Sequence, residues 1–261
     1  MTSVDSPEVG SLLRSWRERR RLSQLQLSSL TGISARHLSF VETGKSAPSR
    51  DMINRLAANL ELPLRERNQL LHAGGFAPRH PQRSLAAPEL LAVSAAFQQI
   101  LDAHVPHPAL LVDRWWDIVD RNTATDLLLH GCADHLLEPP VNAIRLSLHP
   151  EGLAPRIRNL GQWRSHLLGQ LGNRAERTGD RRLRDLLEEA ESYPGELAGR
   201  PLPTDVVVPL EVDIDGRTLR MFSISSAVES ALDVTIDELR LEAFYPMDAL
   251  TSDVLRGAVQ E

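Results

Sequence analysis

The chain has 261 residues, of which 42% are hydrophobic and 25% are charged, values typical of globular domains with buried cores. A single cysteine, Cys132, excludes a disulfide framework, and no apolar run approaches the roughly 18 residues that a membrane helix needs. The first ten residues are polar and lack the pattern of a signal peptide. We therefore expect a cytoplasmic protein with no membrane partner.

The charge is divided unevenly along the chain. Residues 1–80 carry 12 basic and 7 acidic side chains, a net +5, whereas the remainder carries 17 basic and 28 acidic ones, a net −11. This asymmetry indicates a polyanion-binding segment joined to a segment with a different role.

Five short helices are predicted in residues 1–75, an all-α domain. Ser6 followed by Pro7 favours the first helix start, because serine caps helices and proline suits the first turn. The later boundaries are marked by capping serines, by a capping-box glutamine and by glycines that follow helices: Ser23, Gln26, Gly32, Ser34, Gly44 and Ser49. The fifth helix is expected from Pro63 to about Ala73.

A linker, residues 76–88, is indicated by its prolines and polar residues, and residues 89–261 are predicted to form an α+β domain. Helical patterns cover 89–103, 122–129, 139–148, 153–177 and 181–191. Strand patterns cover 109–119, 205–208, 210–214, 219–224 and 238–244. Asp215-Gly216 is a hairpin turn signal between two of these strands.

The tight turn Thr31–Ser34 joins the second and third helices, a spacing typical of a helix-turn-helix. The outward face and leading end of the third helix then carry Ser34, Ala35, Arg36, Ser39 and Phe40. Arg36 suits a bidentate contact with guanine, the serines suit a base or a phosphate, and Ala35 and Phe40 suit a thymine methyl group. These residues predict a DNA-reading helix.

Over about 60 residues, this N-terminal segment resembles the phage-repressor/Cro-type (XRE) helix-turn-helix family. The matching residues are Leu22-Ser23-Gln24, Gly32-Ile33-Ser34, Leu38-Ser39, Val41-Glu42-Thr43-Gly44-Lys45, Pro48 and Leu56-Ala57. The resemblance implies double-stranded operator DNA as partner. It implies that Gln24 braces the DNA backbone and the recognition helix, and that Thr43 and Lys45 contact phosphate. It also implies an internal ion pair between Arg17 and Glu42.

One short recognition helix reads only a few base pairs, so such domains usually pair across half-sites about one DNA turn apart, and we expect a homodimer. The alternative is an adaptor that uses the same fold to bind a protein, because a fold does not fix a function. A third class, an enzyme with a regulatory head, lacks support: the chain has no GxSxG, P-loop, GxGxxG or HExxH motif. We expect no catalytic residues.

The C-terminal segment resembles the MmyB-like ligand-binding domain from about residue 90 to 256, in Pro108–Asn122, Glu138–Asn142, Arg145–Pro150, the surroundings of Trp163, and Asp233–Pro246. The resemblance implies a PAS-like fold with an antiparallel sheet against helices and an internal cavity. It also implies a small-molecule sensor, with a fatty acid or another acyl compound as ligand.

A sensor cavity needs apolar walls and a few placed polar groups. The residue types that suit it are Trp116, Asn122, Asn142, Arg145, His149, Trp163 and His166. Arg145 and His149 are four residues apart, which suits an anionic head group. The alternatives are ordinary core packing for the tryptophans, helix caps for the asparagines, and a structural role for Arg145 and His149.

The stretch from His130 to His135 contains ligand types for a soft metal, namely His130, Cys132 and His135, at a spacing that matches no strong signature. We expect a polar loop without a metal, and no cofactor beyond the sensed molecule. The sequence therefore predicts a transcriptional regulator in which ligand binding shifts the affinity for DNA.

Overall fold

The computed structural model describes residues 9–195 and 206–258. The predicted helix start at Ser6-Pro7 and Asp205, the first residue of one predicted strand, lie outside the described residues. The chain divides into two compact units, one of which holds residues up to Arg83 together with Ser230–Asp237, while the other holds the rest.

The first unit is built from five helices. They are α1 (Val9–Arg19), α2 (Gln24–Thr31), α3 (Ala35–Glu42), α4 (Arg50–Asn59) and α5 (Leu64–Ala73). All five were expected from the sequence, and the all-α prediction for this domain is confirmed.

Local side-chain chemistry sets the ends of α2, α3 and α4. The Ser23 hydroxyl accepts a hydrogen bond from the Gln26 N–H, and the Gln26 side chain accepts one from the Ser23 N–H, which completes the predicted capping box. Ser34 and Ser49 cap α3 and α4 in the same way. Gly32, at φ 64°, ends α2 in the left-handed conformation that favours glycine. Each such serine cap contributes about 1 kcal/mol.

One apolar core joins these helices, and its most deeply buried members are Leu13, Leu27, Leu38, Ile53, Leu56 and Leu70. Leu38 and Val41 point from α3 into this core, as the helical spacing predicted. The opposite face of α3 is therefore left on the surface.

The second unit is α+β, as predicted. Its helices are α6 (Leu91–His104), α7 (Asp126–Leu129), α8 (Asp134–Leu137), α9 (Ala143–Leu148), α10 (Leu160–Thr178), α11 (Arg181–Ser192) and, after the last strand, α13 (Ala249–Ala258). Its strands are β1 (Ala109–Val112), β2 (Ile118–Arg121), β3 (Leu210–Ile214), β4 (Arg217–Ser226) and β5 (Arg240–Pro246). A further short helix, α12 (Val234–Glu238), lies in the connection between β4 and β5.

The five strands form one antiparallel sheet in the order β2-β1-β5-β4-β3, which places β5 at the centre. The β3–β4 hairpin closes at Asp215 and Gly216, with φ values of 49° and 76°, where the sequence predicted a tight turn. This sheet packed against helices is a PAS-like fold.

Four predicted element boundaries are wrong. The helix expected from 139 begins only at Ala143, because Asn142 is its cap, and the long helix expected from 153 begins at Leu160. Val206–Val208, where a strand was predicted, is not a strand, and Val206 is 94% exposed. Strand β5 begins at Arg240, because α12 occupies the residues before it.

Candidate functional site

Helix α3 presents an exposed polar face. Ser34, Arg36 and Phe40 are exposed, and Ala35 and Ser39 are half-buried. The Arg36 guanidinium lies 5.5 Å from the centroid of the Phe40 ring, a cation–π distance. All five predicted reading residues therefore lie together on one accessible surface.

The buried side of α3 is fixed by a charged cluster. Arg17 Nε and Nη2 donate to the two carboxylate oxygens of Glu42 at 2.7 and 2.9 Å. Gln24 Nε2 donates to Glu42 Oε2 at 2.8 Å, and Arg17 Nη1 donates to the Leu22 carbonyl at 2.8 Å. The hydrogen bonds to Glu42 raise the pKa of Arg17 above its ordinary value. The ion pair implied by the family resemblance is present, and Gln24 contributes to it.

The segment after α3 keeps its side chains on the surface. The Thr43 hydroxyl donates to the Ser39 carbonyl at 2.7 Å, and the Lys45 N–H donates to the Phe40 carbonyl at 2.8 Å. Thr43 and Lys45 are both exposed. The backbone here is thus held in place while the Lys45 ammonium group faces solvent.

The second unit contains a cavity of about 80 Å³. Most of its wall is apolar and comes from the sheet and from α9 and α10: Leu110, Val112, Ile144, Leu146, Leu167 and Phe244. A concave, largely apolar wall of this kind is the usual setting for a small ligand.

Six polar side chains also reach the cavity: Thr125, Ser147, His166, Gln170, Ser223 and Glu242. Among the described residues that line it, Glu242 is the only one with a formal charge. Burial raises the pKa of Glu242, and hydrogen bonds from the Ser225 and Ser223 hydroxyls and the nearby Arg174 oppose that rise only in part. The cavity therefore combines an apolar wall with one carboxyl group.

His166 is a neutral polar group in this wall. Burial lowers the pKa of its imidazole. Gln170 Nε2 lies 2.8 Å from His166 Nε2, within hydrogen-bond distance. The imidazole thus places a hydrogen-bonding group in the cavity wall.

Three of the seven predicted ligand-binding residues line the cavity: Trp116, Trp163 and His166. Trp116 adopts φ 63°, and the Arg174 guanidinium lies 3.9 Å from the centroid of its ring. Burial lowers the pKa of Arg174 to about 10. The Trp163 ring is buried, and its Nε1 has no hydrogen-bond partner within the described part of the chain.

The two predicted asparagines use their amide groups inside the fold. Asn122 Oδ1 accepts from the Ala109 N–H at 3.0 Å, and its Nδ2 donates to the His107 carbonyl at 2.8 Å. Asn142 Oδ1 accepts from the Ile144 N–H at 3.1 Å and caps α9. Neither residue is part of the cavity wall.

Arg145 and His149 lie in a separate polar cluster. Arg145 Nε and Nη2 donate to the two carboxylate oxygens of Glu189, both at 2.7 Å, and the Tyr193 hydroxyl donates to the same carboxylate at 2.5 Å. The His149 ring packs edge-on against the Tyr193 ring, with centroids 5.0 Å apart. Like the asparagines, these two residues are outside the cavity wall.

The candidate metal ligands near His130 separate in the structure. Cys132 is buried, and burial raises the pKa of its thiol. His135 instead lies near His149 and Glu151, with ligand atoms within 4.8 Å of one another. His149 Nδ1 accepts a hydrogen bond from the Glu151 N–H at 3.1 Å, so this ring nitrogen already has a partner within the loop.

Sequence reasoning missed Glu242, Ser223 and Gln170. For Glu242 a signal was present, because side chains two residues apart on a strand share a face and Phe244 is an obvious core residue. A carboxylate on the core side of a central strand marks a polar contact inside the fold.

Comparison with known families supplies the assignment. The model of the MmyB-like transcription regulator ligand binding domain matches residues 93–257, more than half of the chain, and a helix-turn-helix domain model matches residues 8–70. The chain belongs to the MmyB-like transcription regulators. The regulator thus combines a helix-turn-helix domain with a ligand-binding domain, the composition of a ligand-sensing transcription regulator.

No curated protein matches the regulator. Among solved structures it is similar to an RNA-binding light-oxygen-voltage receptor, at 14% sequence identity and a TM-score of 0.27. That match covers 98% of the regulator and 62% of the receptor, so the regulator spans less than two thirds of the receptor's length. Among the described residues no helix is both long and apolar enough to cross a bilayer.

Proposed function

We propose that the regulator binds double-stranded operator DNA with sequence preference, as a homodimer in the cytoplasm, and that a small apolar or amphipathic ligand in its cavity changes this binding. The observation that supports DNA reading is the surface of α3, where Arg36 stands near the N-terminal end of an accessible helix face. A helix fits the major groove, and its N-terminal side chains reach the base edges. The Arg17–Glu42 pair holds this helix from behind.

In this proposal Arg36 makes a bidentate contact with guanine, worth about 1–3 kcal/mol of discrimination against other bases. Ala35 and Phe40 pack against a thymine methyl group. Backbone phosphates are contacted by Gln24, the first residue of α2, and by Thr43 and Lys45 after α3. Ser34 and Ser39 contact either a base or a phosphate. Phosphate contacts position the helix, and base contacts give the preference.

The ligand half of the proposal is supported by the apolar cavity and its few polar groups. Trp116, Trp163 and His166 contact the ligand, and Glu242 faces its polar end. Sites for drug-sized molecules usually measure about 300–1,000 Å³. Because this cavity is near 80 Å³, a fatty acid or another acyl ligand of medium chain length has to widen the cavity on binding.

A homodimer follows from the reading geometry, since one α3 covers only part of an operator. Two copies place their reading helices in half-sites about 34 Å apart along the DNA. Native mass spectrometry of the full-length protein, followed by denaturation in the same instrument, tests this together with the ligand. A dimer with an excess mass that denaturation removes supports both, and a bare monomer contradicts the ligand-responsive dimer.

The test of DNA reading starts with selection of duplexes from a random library by the full-length regulator. Affinity for an enriched duplex and for its scrambled counterpart is then measured by fluorescence anisotropy at several salt concentrations. We expect the enriched duplex to bind about 10³-fold more tightly or better, and both affinities to fall linearly in log–log form with salt. No enrichment and no salt dependence contradict the proposal and favour the protein-binding adaptor.

A further inference from the structure

The connection between β4 and β5 folds with the helix-turn-helix unit. Residues 230–237 belong to the first compact unit, although the strands on either side of them belong to the second. Val234 and Ile236 are only 1% and 4% exposed. We call residues 230–237 the clasp.

The clasp is anchored to the segment that follows α5. Arg83 Nη1 donates to Asp233 Oδ2 at 3.0 Å. The Thr235 hydroxyl donates to the Arg83 carbonyl at 2.6 Å, and the Val234 N–H donates to the Pro81 carbonyl at 2.8 Å. An ion pair and two hydrogen bonds to backbone carbonyls therefore hold the clasp against Pro81 and Arg83 of the first unit.

The clasp also completes the N-terminus of α5. The residue at the cap position of this helix is Pro63, whose side chain has no hydrogen-bond acceptor. Asp237 Oδ2 accepts a hydrogen bond from the Leu64 N–H at 3.1 Å, across 173 residues of sequence. A carboxylate at a helix N-terminus satisfies a free N–H and interacts favourably with the helix dipole. Asp237 is thus a remote cap for a helix of the DNA-binding unit.

The two strands that the clasp joins carry part of the cavity wall. Ser223 lies on β4, Glu242 and Phe244 lie on β5, and all three line the cavity. Ser223 is paired directly with Phe244 in the sheet. A ligand in the cavity therefore contacts both strands that continue into the clasp.

We infer that the clasp couples occupation of the cavity to the stability of the α5 end of the DNA-binding unit. The inference rests on the proposed function, because it needs a ligand in the cavity. The two states are a seated clasp, with Asp237 on α5, and a released one. A ligand shifts this equilibrium by its difference in affinity for the two states, and by linkage the state of the clasp changes ligand affinity equally.

Hydrogen-exchange mass spectrometry of the full-length regulator, with and without sodium decanoate as the probe, tests the coupling. Native mass spectrometry of the same samples reports how much decanoate is bound. We expect decanoate to change exchange by about twofold or more in peptides from β4 and β5, from 230–237 and from α5, because local opening limits exchange.

Two aspartates at helix N-termini of the same unit give a matched pair of variants. Asp237→Ala removes the cap that the clasp supplies, whereas Asp51→Ala removes an exposed carboxylate from the first turn of α4. In Asp237→Ala we expect the response of β4 and β5 to remain and the response of α5 to be lost. In Asp51→Ala both responses remain. Should Asp237→Ala fail to fold, Arg83→Gln weakens the anchor at Asp233 and leaves the cap in place.

The outcomes separate the inference from the proposed function. In one outcome, decanoate binds and changes hydrogen exchange in β4 and β5 without changing it in 230–237 or α5. That result contradicts coupling through the clasp, but it still supports a ligand-binding cavity. An α5 response that survives in Asp237→Ala and in Arg83→Gln also contradicts the clasp. Decanoate that does not bind at all contradicts the proposed ligand class, and the inference falls with it.

Discussion

Arg17 of α1 and Glu42, the last residue of α3, form a two-point ion pair in which both carboxylate oxygens accept a hydrogen bond from one guanidinium group. The two side chains are only 9% and 1% exposed. A bidentate guanidinium–carboxylate pair of this kind fixes both the distance between the two side chains and their relative orientation. The orientation of the reading helix is therefore set by a charge pair on the side that faces away from DNA.

Glu42→Ala tests how much the first unit depends on this pair. We expect a loss of about 3–5 kcal/mol in unfolding free energy, because the Arg17 charge stays buried without its partner. Urea unfolding followed by circular dichroism measures the loss. Arg14→Ala is the control, since its pair with Glu18 is exposed and should contribute little. Equal shifts of the unfolding midpoint in both variants would contradict the structural importance of the buried pair.

Arg36 and Lys45 should respond differently to substitution. We expect Arg36→Ala to lose affinity for the selected duplex by about 1–3 kcal/mol and to lose little on the scrambled one. Lys45→Ala should weaken binding to both duplexes about equally and lower the salt slope by about one. Anisotropy titrations on the two duplexes distinguish the variants. Equal losses on both duplexes for Arg36→Ala would remove its base-reading role.

The helix-turn-helix unit was largely predictable because its boundaries depend on neighbouring residues. Ser23 and Gln26 cap α2 from three residues apart, and Gly32 ends it with a hydrogen bond from its own N–H to the Ser28 carbonyl, four residues back. The Asp215-Gly216 hairpin depends on local backbone geometry in the same way. Interactions between residues that are close in sequence can be recognised from the sequence alone. The number, order and caps of these helices could therefore be predicted before the structure was known.

The parts that sequence did not reveal depend on residues far apart in the chain. Asp237 caps α5 across 173 residues, and Arg145 is paired with Glu189, 44 residues away, rather than placed in the cavity wall. The apolar run at Val206–Val208 has strand propensity, yet it pairs with no strand in the part of the chain that the structure describes. Residue type indicated what these side chains were able to do, whereas tertiary packing decided what each of them contacts.

Glu242→Gln gives a prediction on pH. Burial raises the pKa of Glu242, so the carboxyl contributes stability that is fully present below its unfolded pKa, about 4.3, and that is lost as the pH rises through the folded pKa. Glutamine is neutral throughout, so the variant should gain stability relative to the parent as the pH is raised.

Thermal unfolding of both proteins between about pH 4 and pH 8 measures this difference. The charged groups near Glu242 are Arg174 and Arg240, which favour its ionised form and limit the effect. Glu188→Gln, at an exposed position on α11, is the control and should give a constant difference. A difference for Glu242→Gln that stays flat with pH would show that the carboxyl has the same pKa in the folded and the unfolded protein, and would contradict the prediction.

Arg145→Ala separates a structural role from a head-group role. Arg145 holds Glu189 outside the cavity wall, so we expect the variant to lose about 1 kcal/mol of stability or less, since the pair is partly exposed. Its affinity for decanoate should stay within about twofold of the parent, because no ligand contact is removed. Calorimetric titration and thermal unfolding give the two quantities on the same protein.

Ser147→Leu is the matched change inside the cavity wall, also on α9. Leucine suits a helix and fills part of the cavity, so decanoate affinity should fall by about tenfold or more while the helix is kept. A large affinity loss in Arg145→Ala together with no loss in Ser147→Leu would move the ligand away from the cavity and toward the Arg145–Glu189 cluster. That result would favour an anionic head group bound by Arg145 and His149, which lie together in that cluster around Glu189 and Tyr193.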